Sequence, residues 1–213
     1  MVNFEPREKQ GSAERSKAGS YINQVKQLRE ETEAPVNECL KALEEAQGDR
    51  EKAKEILRKW GKILAAKKVE REVKEGIVDV YLHPNKKVGV ILELRCESDF
   101  VAKNEDFQKL AHELCLQIAA SNPRFVSEEN IPQETLEKER EIYSEQFSAS
   151  GKPPAIVNDI VEGKLKKYKE ESCLLSQLWI KDETKKIKDL LTEHIAKLGE
   201  NIVVRDFSRF SIK

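Results

Sequence analysis

No stretch of this sequence approaches the roughly 18 consecutive apolar residues of a membrane-spanning helix. Residues 1–20 also lack the apolar centre of a secretory signal, so the expectation is a cytoplasmic protein with no membrane partner. Glycine is sparse, and the nine glycines never stand two residues apart, which excludes a G-x-G-x-x-G dinucleotide fingerprint. Gly151-Lys152 has no matching glycine before it and Pro153 after it, so it is not a phosphate loop. Cysteine is limited to Cys39, Cys96, Cys115 and Cys173. They form no C-x-x-C pair and each stands in an apolar pattern, so they read as buried thiols rather than metal ligands or redox centres.

An excess of either charge is missing as well. Against 39 acidic residues stand 38 basic ones, a formal net charge of −1. A dedicated nucleic-acid binder would need clustered, uncompensated cations to neutralise phosphates. The lysine-rich segment 164–169 is flanked by Glu162, Glu170 and Glu171, and reads first as a solvated helix face. Its alternative reading is an RNA- or ribosome-binding patch. The histidines, His83, His112 and His194, fall on three separate elements and read as scattered surface residues. His112-Glu113 begins like a zinc helix, but Leu116 stands where the second histidine would be. No catalytic residue, metal ligand or cofactor site is therefore assigned, and the expectation is a binding protein, not an enzyme.

What is present is interleaved charge, 36% of residues, over periodic apolar positions. Residues 1–20 read as a flexible leader. From there Ser20 can cap a helix bearing Ile22, Val25 and Leu28. Pro35 suits the first turn of a second, with Val36, Cys39, Leu40 and Leu43 inward and Gly48 at its end. Asp49 can cap a third, where Ala53, Ile56, Leu57, Trp60 and Leu64 recur at helical spacing. Three short amphipathic helices over 21–68 should pack as a bundle, because none can bury its stripe alone.

At Gly76 the period changes. Ile77-Val78-Asp79-Val80-Tyr81-Leu82, a turn at Pro84-Asn85, and Val88 to Leu94 predict a hairpin whose second strand is the more buried. Asn104 should cap a helix carrying Phe107, Leu110, Ala111, Leu114 and Ile118, closed by Pro123. Further helices are predicted over 133–149, 154–171 and 183–198, the last ended by Gly199, with a final strand over 201–212. The fold class is α+β: an N-terminal bundle, then residues 69–213 as a core of about three antiparallel strands packed with helices.

Asp99-Phe100 follows the buried strand and precedes a helix. From pattern alone, Asp99 caps a helical turn and Phe100 folds back into the core. Gly199 is accounted for by the left-handed conformation that ends a helix.

Several separated blocks, in order, resemble the elongation factor Ts family over about residues 21–212. Val25-Lys26, Leu28-Arg29, Thr32, Ala34, Cys39, Lys41-Ala42-Leu43, Glu45-Ala46 and Gly48-Asp49 are similar to its amino-terminal, UBA-like three-helix domain. Cys96-Glu97-Ser98-Asp99-Phe100-Val101 resembles its Thr-Asp-Phe-Val loop, and Lys197-Leu198-Gly199-Glu200-Asn201-Ile202 its Ile-Gly-Glu-Asn element. Residues 160–165, Tyr168 and Cys173-Leu174-Leu175 resemble a later family segment. Ser98 replaces the usual threonine and keeps its hydroxyl. Glu33 and Pro35 replace two glycines, which stiffens the path into the second helix. The resemblance implies a factor in its short, single-core-module form that binds elongation factor Tu and drives GDP release by displacing Mg²⁺ and loosening the phosphate site. It implies partner contacts at Ser98, Asp99, Phe100 and Val101, a second contact at Leu198 and Gly199, and weaker bundle contacts at Leu28 and Val36. Short family members are often homodimers, though no self-interface is legible in the pattern.

Overall fold

The computed structural model describes residues 10–32, 34–148 and 153–212, the first of these as backbone only up to residue 20. The chain divides into two compact units: residues up to Val69 with Ile195–Gly199, and Glu70–His194 with residues from Glu200 onward.

In the first unit α1 (Gln10–Thr32), α2 (Val36–Glu45) and α3 (Arg50–Lys68) form the expected bundle. Its core holds Val25, Leu28, Cys39, Leu43, Ala53 and Leu57, with Tyr21, Leu40, Ile56 and Trp60 packed against it. Ser20 lies inside α1 rather than at its cap, because Ala, Glu, Arg and Lys between residues 13 and 18 are good helix formers with no proline to stop them. Residues 1–9 of the expected leader lie outside the described residues. Ile22 is 66% exposed. Two successive steps of three place it about 120° around the helix from Leu28, whereas Tyr21, Val25 and Leu28 follow the i, i+4, i+7 stripe.

Pro35 stands one position before α2, and its carbonyl accepts from the Glu38 and Cys39 amides at 2.9 and 3.0 Å. The far end of α2 closes as a Schellman motif. Gly48 N–H donates to the Leu43 carbonyl (2.8 Å) and Gln47 N–H to that of Glu44 (3.0 Å), so Gln47 shares the positive φ with Gly48. Asp49 caps α3 as expected, accepting from the Glu51 and Lys52 amides at 3.1 and 3.2 Å. Those bonds hold its carboxyl below the usual carboxylate range, the Lys52 amide contributing most.

The second unit is built on an antiparallel sheet in the order β1–β2–β5, with β1 Glu75–Leu82, β2 Val88–Cys96 and β5 Ile202–Ser211. β2 is central, and its alternate residues Val90, Leu92, Leu94 and Cys96 are fully buried. Gly76 sits at φ +158°, and a Cβ there would lie 2.3 Å from the Leu94 carbonyl oxygen. Only glycine permits that close pairing. Helix α4 (Asp99–Ala102) is a single turn, and α5 (Glu105–Ser121) packs Phe107, Leu110, Leu114 and Ile118 against β1 and β2. Asn104 caps α5, and Asn122 ends it in the left-handed conformation just before Pro123. α6 (Gln133–Ser148) and α7 (Pro154–Ser172) pack together as a helical pair.

One predicted element is corrected. Residues 183–186 belong to a small hairpin, β3 (Leu178–Trp179) with β4 (Asp182–Lys186), and α8 starts only at Ile187 and runs to Leu198. Gln117, fully buried, holds the hairpin. Its amide donates to the Leu178 carbonyl (3.1 Å) and its carbonyl accepts from Ile180 N–H (2.9 Å). Asp182 accepts from both the amide and the hydroxyl of Thr184, at 3.0 and 2.6 Å, which bends the chain before the helix can begin. The architecture is thus α+β, with a helical bundle at the start and a three-stranded antiparallel sheet packed with helices.

Candidate partner-binding site

Where β2 leaves the sheet, the chain makes one helical turn. Ser98 is its N-cap: the hydroxyl accepts from Val101 N–H at 3.4 Å, and the carbonyl from Ala102 N–H at 3.2 Å. Asp99, expected as the cap, is instead the first helical residue. Val101 and Ala102 turn inward and are buried, so Val101 anchors the turn and offers little surface. Phe100 points the other way and is 82% exposed, which overturns the pattern reading that folded it into the core. A single turn cannot bury four consecutive residues. The two small aliphatic side chains take the inner arc and leave the ring to solvent.

Asp99 pairs with Lys103 at 2.7 Å, and the ammonium beside it holds its carboxyl below the usual range. Both side chains are half or more exposed, so the pair adds little stability.

Behind the turn is a network not assigned from the sequence. The Glu200 carboxylate accepts from the Glu97 and Ser98 amides at 3.1 and 2.9 Å, and from the Ser98 hydroxyl at 2.6 Å. In return Asn201 N–H donates to the Glu97 carboxylate at 2.6 Å. Asn201, only 2% exposed, donates its amide to the Arg71 carbonyl at 2.9 Å, and the Arg71 guanidinium lies 3.6 Å from Glu97. Burial, with the Glu200 charge adding to it, pushes the nearby Cys96 thiol up to about 11. The available signal was a polar Glu200-Asn201 pair between a helix-ending glycine and a buried strand.

The remaining candidates divide clearly. Gly199 ends α8 at φ +79°, donates its N–H to the Ile195 carbonyl at 3.1 Å, and is exposed; Leu198 is half-buried. Val36, the first residue of α2, was expected inward but is 43% exposed. Leu28 is fully buried in the bundle core, so its contribution to any contact is structural.

His83 and His112 are not scattered. Both flank Tyr81, whose hydroxyl lies 2.9 Å from His83 Nδ1, while His194 sits apart with Nδ1 2.9 Å from the Leu190 carbonyl. Among the described residues no cluster of His, Cys, Asp or Glu could hold a metal ion, and no helix is long and apolar enough to cross a membrane. All four cysteines are buried free thiols, and burial pushes Cys115 up to about 12. On α7 the lysine-rich face is of mixed charge, with Lys167 beside Glu171 and Arg140 paired to Glu162.

The profile of the family described as elongation factor TS matches residues 16–212. The elongation factor Ts of Thermodesulfovibrio yellowstonii is 56% identical over 188 residues, covering 88% of this chain and 94% of that protein. That of Thermosipho melanesiensis is 53% identical over 188 residues, covering 88% and 96%. This chain belongs to the elongation factor Ts family. As a member of that family of translation elongation factors, it presents Ser98-Asp99-Phe100-Val101 on a turn held by bonds from the Ser98, Val101, Ala102 and Lys103 amides, beside an exposed ring.

Proposed function

We propose that this chain binds elongation factor Tu in its GDP-bound form and speeds release of the nucleotide, acting by contact and not by covalent chemistry. The observation that carries this reading is the 82% exposure of Phe100 on an anchored turn. A phenylalanine held in water gains about 1.5–3 kcal/mol when it enters an apolar crevice, and that gain is available only in the complex. Phe100 is the wedge between helices of the GTPase, and Asp99 orients it by hydrogen bonding at the partner surface. Gly199 and Leu198 form a second contact near the phosphate loop, and the bundle docks on the nucleotide-binding domain with Val36 on its contact face. The combined displacement dislodges the partner's Mg²⁺ and loosens the phosphate site.

The energetics are those of negative coupling. Whatever factor by which this chain weakens GDP, GDP weakens this chain, so rebinding of GTP expels it. In stopped flow with labelled GDP on elongation factor Tu, the protein should accelerate release by at least about tenfold, within the usual range of coupling energies. Release at the intrinsic rate under saturating protein would reject the assignment. RNA binding that falls steeply with salt, without effect on GDP, would favour the ribosome-associated alternative.

A homodimer in the cytoplasm completes the reading. The outer face of the sheet exposes Val78, Val80 and Phe210 at 66, 59 and 68%, an apolar patch of the kind that favours association. Sedimentation equilibrium should show a dimer that Val80→Lys dissociates; a monomer at every concentration would remove it.

A further inference from the structure

Glu97 and Ser98 leave the sheet just past its last pair. Cys96 still faces Ile202 across the β2–β5 ladder, but residues 200 and 201 do not continue the strand. The backbone of 97–98 therefore has no strand partner, and side chains fill the gap from both sides. Glu200 takes both amides with one carboxylate oxygen, and Glu97 returns a bond to the backbone of Asn201. The second oxygen of Glu200 takes the Ser98 hydroxyl, and that same hydroxyl accepts from Val101 N–H inside the turn. A continuous chain of hydrogen bonds thus runs from Glu200 through Ser98 to the residue after Phe100.

We infer that Glu200 is a positioning residue for nucleotide release: its carboxylate fixes the start of the turn and so sets the direction in which Phe100 is presented. The inference rests on the reading of Phe100 as the wedge. Three donors converge on this one carboxylate, and an ionised acceptor makes the stronger hydrogen bonds, so it holds the turn more firmly than neutral partners would. The same chain makes the hydroxyl at position 98 its central link. Serine or threonine passes the bond on to Val101, whereas alanine would break the chain.

Two measurements on the full-length protein test this. Amide hydrogen exchange of the free protein should show residues 97–101 exchanging on the order of tenfold faster in Glu200→Ala, with α5 still protected. GDP release from elongation factor Tu should need about tenfold more Glu200→Ala than wild type, a loss that Glu200→Gln partly restores. In a Phe100→Ala background the same change should cost less than about twofold, because changes that act through one hydrogen-bonded network are non-additive. Ser98→Ala is the second variant should Glu200→Ala fail to fold, and it should show the same non-additivity, with Ser98→Thr active. An equal loss in both backgrounds, or unchanged amide exchange at 97–101, overturns the positioning role alone. Wild-type release by Phe100→Ala overturns the wedge reading and this inference with it.

Discussion

Phe100→Ala should leave the protein folded and remove most of its action on elongation factor Tu. The ring is 82% exposed in the free protein, so its loss removes almost no intramolecular packing, and stability should stay within about 0.5 kcal/mol of wild type. In the complex the same ring would be buried, and its removal costs about 1.5–3 kcal/mol, or about 10- to 150-fold in the concentration needed for half-maximal GDP release. The discriminating result is the separation of the two effects: an unchanged thermal midpoint beside a large loss of exchange. Phe100→Leu keeps most of the apolar area and should keep much of the activity. Undiminished exchange by Phe100→Ala would show that the exposed ring is not the wedge. The turn would then contribute through Asp99 alone.

The difference between Phe100 and its neighbours also shows where sequence reasoning reaches its limit. The helices of the bundle, the hairpin, the final strand and the buried core of α5 were legible because each has a period, 3.6 or 2, repeated over enough residues to be unmistakable. Asp49 and Asn104 were legible as caps because side-chain chemistry and position coincide. The turn at 99–102 is too short to have a period, so pattern gave Phe100 to the core on hydrophobicity alone. The ring is in fact exposed, because the inner arc of the turn is taken by Val101 and Ala102. The hairpin at 178–186 was missed for another reason. Its conformation depends on Gln117, some 60 residues away in sequence, and no local window contains that partner. Glu200 was missed in the same way, its three bonds spanning 102 and 103 positions. Long-range polar contacts leave no periodic trace, whereas apolar stripes do.

Phe107 provides the counterpart to Phe100. It has the same side chain and lies on the next helix, but it is fully buried where α5 packs on β1 and β2. Phe107→Ala should cost about 3–5 kcal/mol, the transfer of the ring plus the cavity it leaves. Against a total stability of about 5–15 kcal/mol, that is enough to bring the second unit near its folding threshold. The two tryptophans allow the effect to be localised, since Trp60 lies in the bundle and Trp179 in the second unit. In a Trp60→Phe background, urea unfolding followed by Trp179 fluorescence should show the midpoint fall with its slope unchanged. A loss below about 1 kcal/mol would mean that the site collapses around the missing ring and that α5 is held elsewhere. At a temperature where Phe107→Ala is fully folded, its effect on GDP release should equal that of wild type, because the residue only supports the scaffold on which the turn stands. A folded Phe107→Ala protein that failed to release GDP would instead tie the core of α5 to the pose of the wedge. Paired with Phe100→Ala, the experiment separates the burial that maintains the fold from the burial held back for the partner.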